Sequence, residues 1–242
     1  MQRIPIKPLD WNVTVPGFVE ADTVSHCGDN IMGEYANSVN AVDILTTWTE
    51  TRAAFTKASG GILERVKDIE MSFPFPLRGW ATDNGSEFLN YVLVEYFEGR
   101  EENPVPIKRG RPYRKNDQCH IEQRNFTHVR QLFGYDRIED RSLTELMNEI
   151  YRDYWCPFQN FFIPTMKLIR KERIGARIKK TYDVPKTPYQ RVMDNPDISS
   201  AYKDVLKSRF ESINPFTLRE ELEKKLKHFY QELRRRQIAK AA

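Results

Sequence analysis

No apolar run in this chain approaches the roughly 18 to 20 residues that a membrane-spanning helix needs. The N-terminus "MQRIPIKPLDWNV" also lacks the apolar stretch of a signal peptide, so a cytoplasmic protein that avoids membranes is expected. Cysteine is scarce: Cys27, Cys119 and Cys156 are odd in number, far apart and in no CxxC pair. That excludes a disulfide framework or a zinc knuckle and leaves three reduced structural thiols. The four histidines, His26, His120, His128 and His228, have no zinc spacing with the cysteines and read as structural. His120 is the exception to follow, because it stands two residues before Glu122. No nucleophile constellation and no internal repeat is visible.

What is present is a globular composition spread unevenly. Hydrophobic residues make up 40% of the 242 positions, charged residues 30% and aromatics 12%. The net charge of +4 hides a division: residues 1–103 carry 8 Lys and Arg against 16 Asp and Glu, and residues 104–242 carry 30 against 18. A second half at +12 beside a first half at −8 suits contact with a polyanion, most simply nucleic acid.

Three regions follow: an N-terminal lead over 1–15, an α/β core over 16–160, and a basic arm with a terminal helix over 161–242. "GFVEADTVS" alternates as a strand with Asp22 near its end, and "GEYANSVNAVDILTTWTETRAAF" supplies two more strands broken near Asp43. Ile62, Leu63, Val66 and Ile69 recur at helical spacing until Pro74. "LRGWATD" is a fourth strand ended by the turn residues Asp83, Asn84 and Gly85, Ser86 can cap a helix to Gly99, and "NPVPIKRG" is a fifth strand. Helices are expected from near Asn116 to Phe133 and from Ser142 to Tyr154, the latter ended by Pro157. The basic stretch after Pro164 reads as partly extended, with a strand pair around Gly175. Leu218, Leu222, Leu226, Phe229 and Leu233 form an apolar stripe on a last helix. This order gives a mixed sheet with helices on its faces. Trp48 could stack on a displaced base, though a strand tryptophan is more often core.

Glu122 stands out because Phe126, Val129 and Phe133 set a stripe expected to face the core, and stepping back four from Phe126 reaches it. If the strands that end at Asp22 and Asp83 are neighbours with their C-terminal ends on one edge, three carboxylates converge and need divalent cations between them. Hard oxygen donors suit a pair of Mg²⁺ or Mn²⁺ ions, which drive in-line displacement at phosphorus.

"ADTVSHCGD", "ATDNGSEF" and "KNDQCHIEQRN" together resemble the three acidic motifs of the retroviral-integrase superfamily, most closely its bacterial insertion-sequence transposases. "RPYRKNDQCHIEQRNFTHVRQLFGYDR" and "KTYDVPKTPYQRVM" extend the likeness over residues 16–195. Asp83 and Glu122 are 38 residues apart in the intervening count, slightly beyond the family's usual mid-thirties. The resemblance implies a ribonuclease-H-like fold, with Asp22 bridging two metals and Asp83 and Glu122 each completing one site. It implies a DNA transposase that hydrolyses a phosphodiester and then transfers a strand, assembled as a homo-oligomer on transposon ends and target DNA. Asn84, Gln118 and Asn125 match polar positions that touch DNA or order the site. Phe126 and Val129 replace lysines of retroviral relatives, so Arg114, Lys115, Arg124, Arg130, Lys167 and Lys171 become the candidate phosphate contacts. Such enzymes usually carry an upstream helix-turn-helix region, and Met1 is therefore expected to begin a fragment or a split reading frame. The alternatives are a catalytically inactive DNA-binding or assembly module and a nuclease that only cleaves.

Overall fold

A computed structural model describes residues 4–6, 13–83, 85, 91–111 and 119–241. Five strands form one sheet: β1 (Phe18–Ser25), β2 (Asn37–Asp43), β3 (Thr49–Ala54), β4 (Gly79–Thr82) and β5 (Ile107–Arg109), in the order β3-β2-β1-β4-β5. The meander β1-β2-β3 is antiparallel, its connections of 11 and 5 residues being too short to hold a crossover helix. β4 joins β1 in parallel, after a crossover through helix α1 (Ser59–Ser72), and β5 joins β4 in parallel after α2 (Tyr91–Glu98).

The period-2 pattern of β1 and β2 assigns the two faces. Val19, Ala21, Val39 and Ala41 point toward α1 and α2, where Ile62, Val66, Ile69, Leu93 and Phe97 complete a buried cluster. The opposite face carries Glu20, Asp22, Ser38 and Asn40, and it is covered by α3 (residues 119–133) and α4 (residues 141–162). Both of these helices contain a π-helical stretch, Asn125–Arg130 in α3 and Ile150–Trp155 in α4. Pro157 does not end α4, which runs on to Phe162, because the wider turn just before it relieves the clash of a proline ring with the carbonyl four residues back.

β3 is an outer strand, and α4 covers it with amides. Asn148 exchanges two hydrogen bonds with the backbone of Ala53 (2.7 and 2.9 Å), and Asn160 does the same at Thr49 (2.9 and 2.8 Å). A free edge that would otherwise template pairing with another chain is thereby closed. Trp48, at the start of this edge, is core: it is fully buried, its indole N–H donates to Glu50 Oε1, and its ring meets Phe161 edge-on.

The C-terminal part packs onto this body. α5 (Pro188–Asp194) opens with a capping box between Thr187 and Gln190, and Val192 enters the first cluster with Leu206 of α6 (Ser200–Ser212). α7 (Pro215–Ala241) buries Leu222, Phe229 and Leu233 against Phe133, Met147 and Tyr151. Between α4 and α5 lies an antiparallel ribbon of β6 (Leu168–Ile174) and β7 (Arg177–Tyr182), the pair expected around Gly175. Among the described residues no helix is long and apolar enough to cross a membrane. Cys27 and Cys156 are free thiols, and burial with Glu50 nearby pushes Cys156 up to about 12.

Candidate functional site

The parallel ladder of β1 and β4 ends at the pair Ala21 and Thr82. Asp22 and Asp83 are the next residues of the two strands, so they stand side by side at this edge, on strands about 4.8 Å apart. Asp22 is not at the end of β1, which continues to Ser25 because its pairing with β2 outlasts its pairing with β4. Asp83 closes the expected turn, its Oδ1 accepting from the Gly85 N–H at 2.7 Å. Asn84 and the Ser86 cap lie outside the described residues, as do Arg114, Lys115 and Gln118.

Asp22 is held by a chain of side-chain amides. The Thr51 hydroxyl donates to Asn40 Oδ1 (2.9 Å), Asn40 Nδ2 donates to Asn125 Oδ1 (3.1 Å), and Asn125 Nδ2 donates to Asp22 Oδ2 (2.6 Å). The Thr23 N–H donates to the other oxygen at 2.7 Å. Asn40 and Thr51 are fully buried, and the register places Thr51, Asn40 and Asp22 in one row across three strands. Asn125 is the first residue of the π-helical stretch in α3. Such stretches recur at functional sites because they re-aim a side chain.

The sequence reading missed Glu20. It lies two residues before Asp22 on the same strand face, and its Oε2 accepts from the His120 N–H (3.1 Å) and the Ile121 N–H (3.0 Å). A carboxylate from β1 thus caps the first turn of α3, where the helix has unpaired N–H groups. Glu20 is fully buried, and among the described residues its Oε1 has no hydrogen-bond partner. Burial drives its carboxyl up to about 8 against the pull of those two N–H groups and of Arg124. The signal was legible: a strand with Asp22 on one face has Glu20 on that face too.

Glu122 sits in the first turn that Glu20 caps, but not on the apolar face of α3. Glu122 is exposed and Phe126 is 52% exposed, while Ile121, His128, Val129, Leu132 and Phe133 face inward. Val129 and Phe133 face the core as expected, whereas Phe126 and Glu122 together face outward, because the π-helical turns shift the phase of the stripe after Asn125. Among the described residues no three His, Cys, Asp or Glu side chains are gathered closely enough to hold a metal ion. The β1–β4 ladder brings the backbones of Asp22 and Asp83 next to one another, and Glu122 is exposed on the first turn of α3.

Positive charge surrounds this corner. Arg124 lies beside Glu20, and burial together with Arg191 presses its guanidinium down to about 10. His120 is held neutral, its imidazole pushed down to about 4 by burial and then by Lys167 and Arg124. Lys167 places its ammonium on the carbonyls of Ile44 (3.0 Å) and Leu45 (2.7 Å), at the turn after β2. Arg130 donates to the carbonyls of Ser25 and Gly134 and lies over the Tyr135 ring. Both cations are thus committed to the fold, whereas Lys171 is exposed.

The chain is thus an α/β protein with a mixed five-stranded sheet. No family model matches it. It is 37% identical over 191 residues to the uncharacterized protein y4rM of Sinorhizobium fredii (strain NBRC 101917 / NGR234), an alignment of 78% of this chain and 53% of that protein. The chain spans about half the length of this curated relative. Among solved structures, a chain of the simian T-cell lymphotropic virus intasome in complex with the PP2A regulatory subunit B56 gamma is 14% identical, with a TM-score of 0.41 over 54% of this chain and 43% of that one.

Proposed function

We propose that this chain is the catalytic region of a DNA transposase or integrase of ribonuclease-H-like fold, performing metal-dependent phosphodiester hydrolysis and strand transfer. One observation carries the reading: Asp22 and Asp83 side by side at the edge of two parallel strands, with Glu122 on the helix turn that Glu20 fastens to the same strand. Asp22, Asp83 and Glu122 would hold Mg²⁺ or Mn²⁺, since their carboxylates are the hard oxygen donors such ions take. Such ions would supply activation of an attacking oxygen and stabilisation of a leaving one. The protein's own contribution is orientation. Asn125 fixes the Asp22 carboxylate, Glu20 fixes the start of α3, and Arg124 sets a positive field beside them.

The test uses a labelled duplex ending in the terminal sequence of the element, with Mn²⁺ or Mg²⁺, and compares the chain with Asp83→Asn. Joined products support strand transfer, and cleavage alone supports a nuclease. A mutant indistinguishable from the parent would refute catalysis at this site and favour an assembly module.

A further inference from the structure

The β6–β7 ribbon has no core of its own. Apart from Glu172 every residue in it is exposed, including Ile169 (67%), Ile174 (60%) and Ile178 (56%). A two-stranded ribbon alone is marginal in water, yet the base of this one is firmly tied. Thr165 and Lys186 bridge its ends, the Lys167 N–H donates to Asp183 Oδ1 (2.6 Å), and Asp183 is paired with Arg191 (2.6 Å). The blade carries six Lys and Arg against the single Glu172.

The register divides those charges. Lys171 stands directly opposite Lys180, and Arg173 opposite Ile178, so one face holds three cations and no acid. On the other face Glu172 pairs with Arg170 and lies opposite Lys179. Like charges directly across a strand pair are unfavourable, and they are relieved when a polyanion lies on them. A two-stranded ribbon also matches the width of the major groove of duplex DNA, about 12 Å.

We infer that the face bearing Lys171, Arg173, Lys180 and Ile178 seats in a groove of duplex DNA, with the lysines on opposite backbone walls. This rests on DNA being the substrate but not on strand chemistry. The fastened base makes the ribbon a fixed arm beside Lys167 and Arg191, gripping the duplex at a set position relative to the carboxylates.

The experiment measures binding of the full chain to a fluorescent 30-base-pair duplex (about three helical turns) by anisotropy, in EDTA, across a salt series. Lys171→Gln/Lys180→Gln is compared with Arg177→Gln/Lys179→Gln, which removes the same charge from the other face. Loss of two phosphate contacts should lower the slope of log K against log salt by about 1.8. The opposite-face variant should change the slope by less than half as much. Equal effects of the two variants, or no effect of the first, overturn the inference. So does equal or tighter binding to a single strand of the same length, or Lys171/Lys180-dependent binding to anionic phosphatidylserine vesicles without duplex binding. Neither variant touches a buried residue, and an unchanged thermal midpoint verifies folding. Failure of the two readings is separable: ribbon-dependent binding without any Asp83-dependent cutting sinks catalysis alone, and Asp83-dependent cutting that ignores the ribbon sinks this inference alone.

Discussion

Replacing Asn125 by Ala should cost more than one hydrogen bond, because the amide joins a buried relay to a carboxylate. Its bond to Asp22 is short and charge-assisted, at 2.6 Å, and bonds of that type contribute about 1.5 to 3 kcal/mol. Removal also strands Asn40 Nδ2, which belongs to a fully buried residue, at about 1 to 3 kcal/mol. Asn125 is only half-buried, so water entering the gap offsets part of both losses. The expected total is about 2 to 3 kcal/mol. Asn40→Ala should cost a similar amount, since it breaks the bonds to Asn125 and Thr51 together. Because the two residues share one chain of bonds, the double variant should be less destabilised than the two singles added, by about 1 kcal/mol. Urea midpoints of the four proteins measure this cycle. Additivity within about 0.3 to 0.5 kcal/mol would show that the relay does not act as a unit.

Two further outcomes follow from buried groups away from the carboxylates. His26 is fully buried, its Nε2 within 2.8 Å of the Ser38 hydroxyl, and burial aided by Arg130 pushes its imidazole down to about 3. Its folded form refuses a proton that the unfolded chain accepts below pH 6.5, so stability is present above that pH and lost as pH falls toward 3. His26→Gln should recover about 2 to 3 kcal/mol of that loss at pH 4.5 relative to pH 7, read from urea midpoints; parallel pH profiles for the two proteins would contradict it. Phe229 is fully buried with its ring 4.8 Å from that of Phe133, so Phe229→Ala should cost about 3 to 5 kcal/mol and free α7 to protease cutting. Unchanged melting and digestion would mean that α7 is dispensable to the body.

Much of the fold was legible because period 2 and period 3.6 report burial directly. The five strands, the break near Asp43 and the stripe from Leu218 to Leu233 were each visible from spacing alone. Glu122 shows where that reasoning stops. A spacing rule says which residues share a side of a helix, not which side meets the sheet, and a π-helical stretch alters the phase without a sequence mark. Pro157 misled for the same reason.

By itself the sequence determined the element types, the presence of Asp22, Asp83 and Glu122, and the charge division between the halves. Only the tertiary structure decided that Asp22 and Asp83 adjoin, since that depends on β4 pairing with β1 across a crossover of many residues. It likewise decided that Asn125 serves Asp22, that Glu20 caps α3, and that Lys171 faces Lys180. Local spacing fixes a residue's face because backbone geometry repeats over a few residues, whereas a partner a hundred positions away is set by the packing of the whole chain.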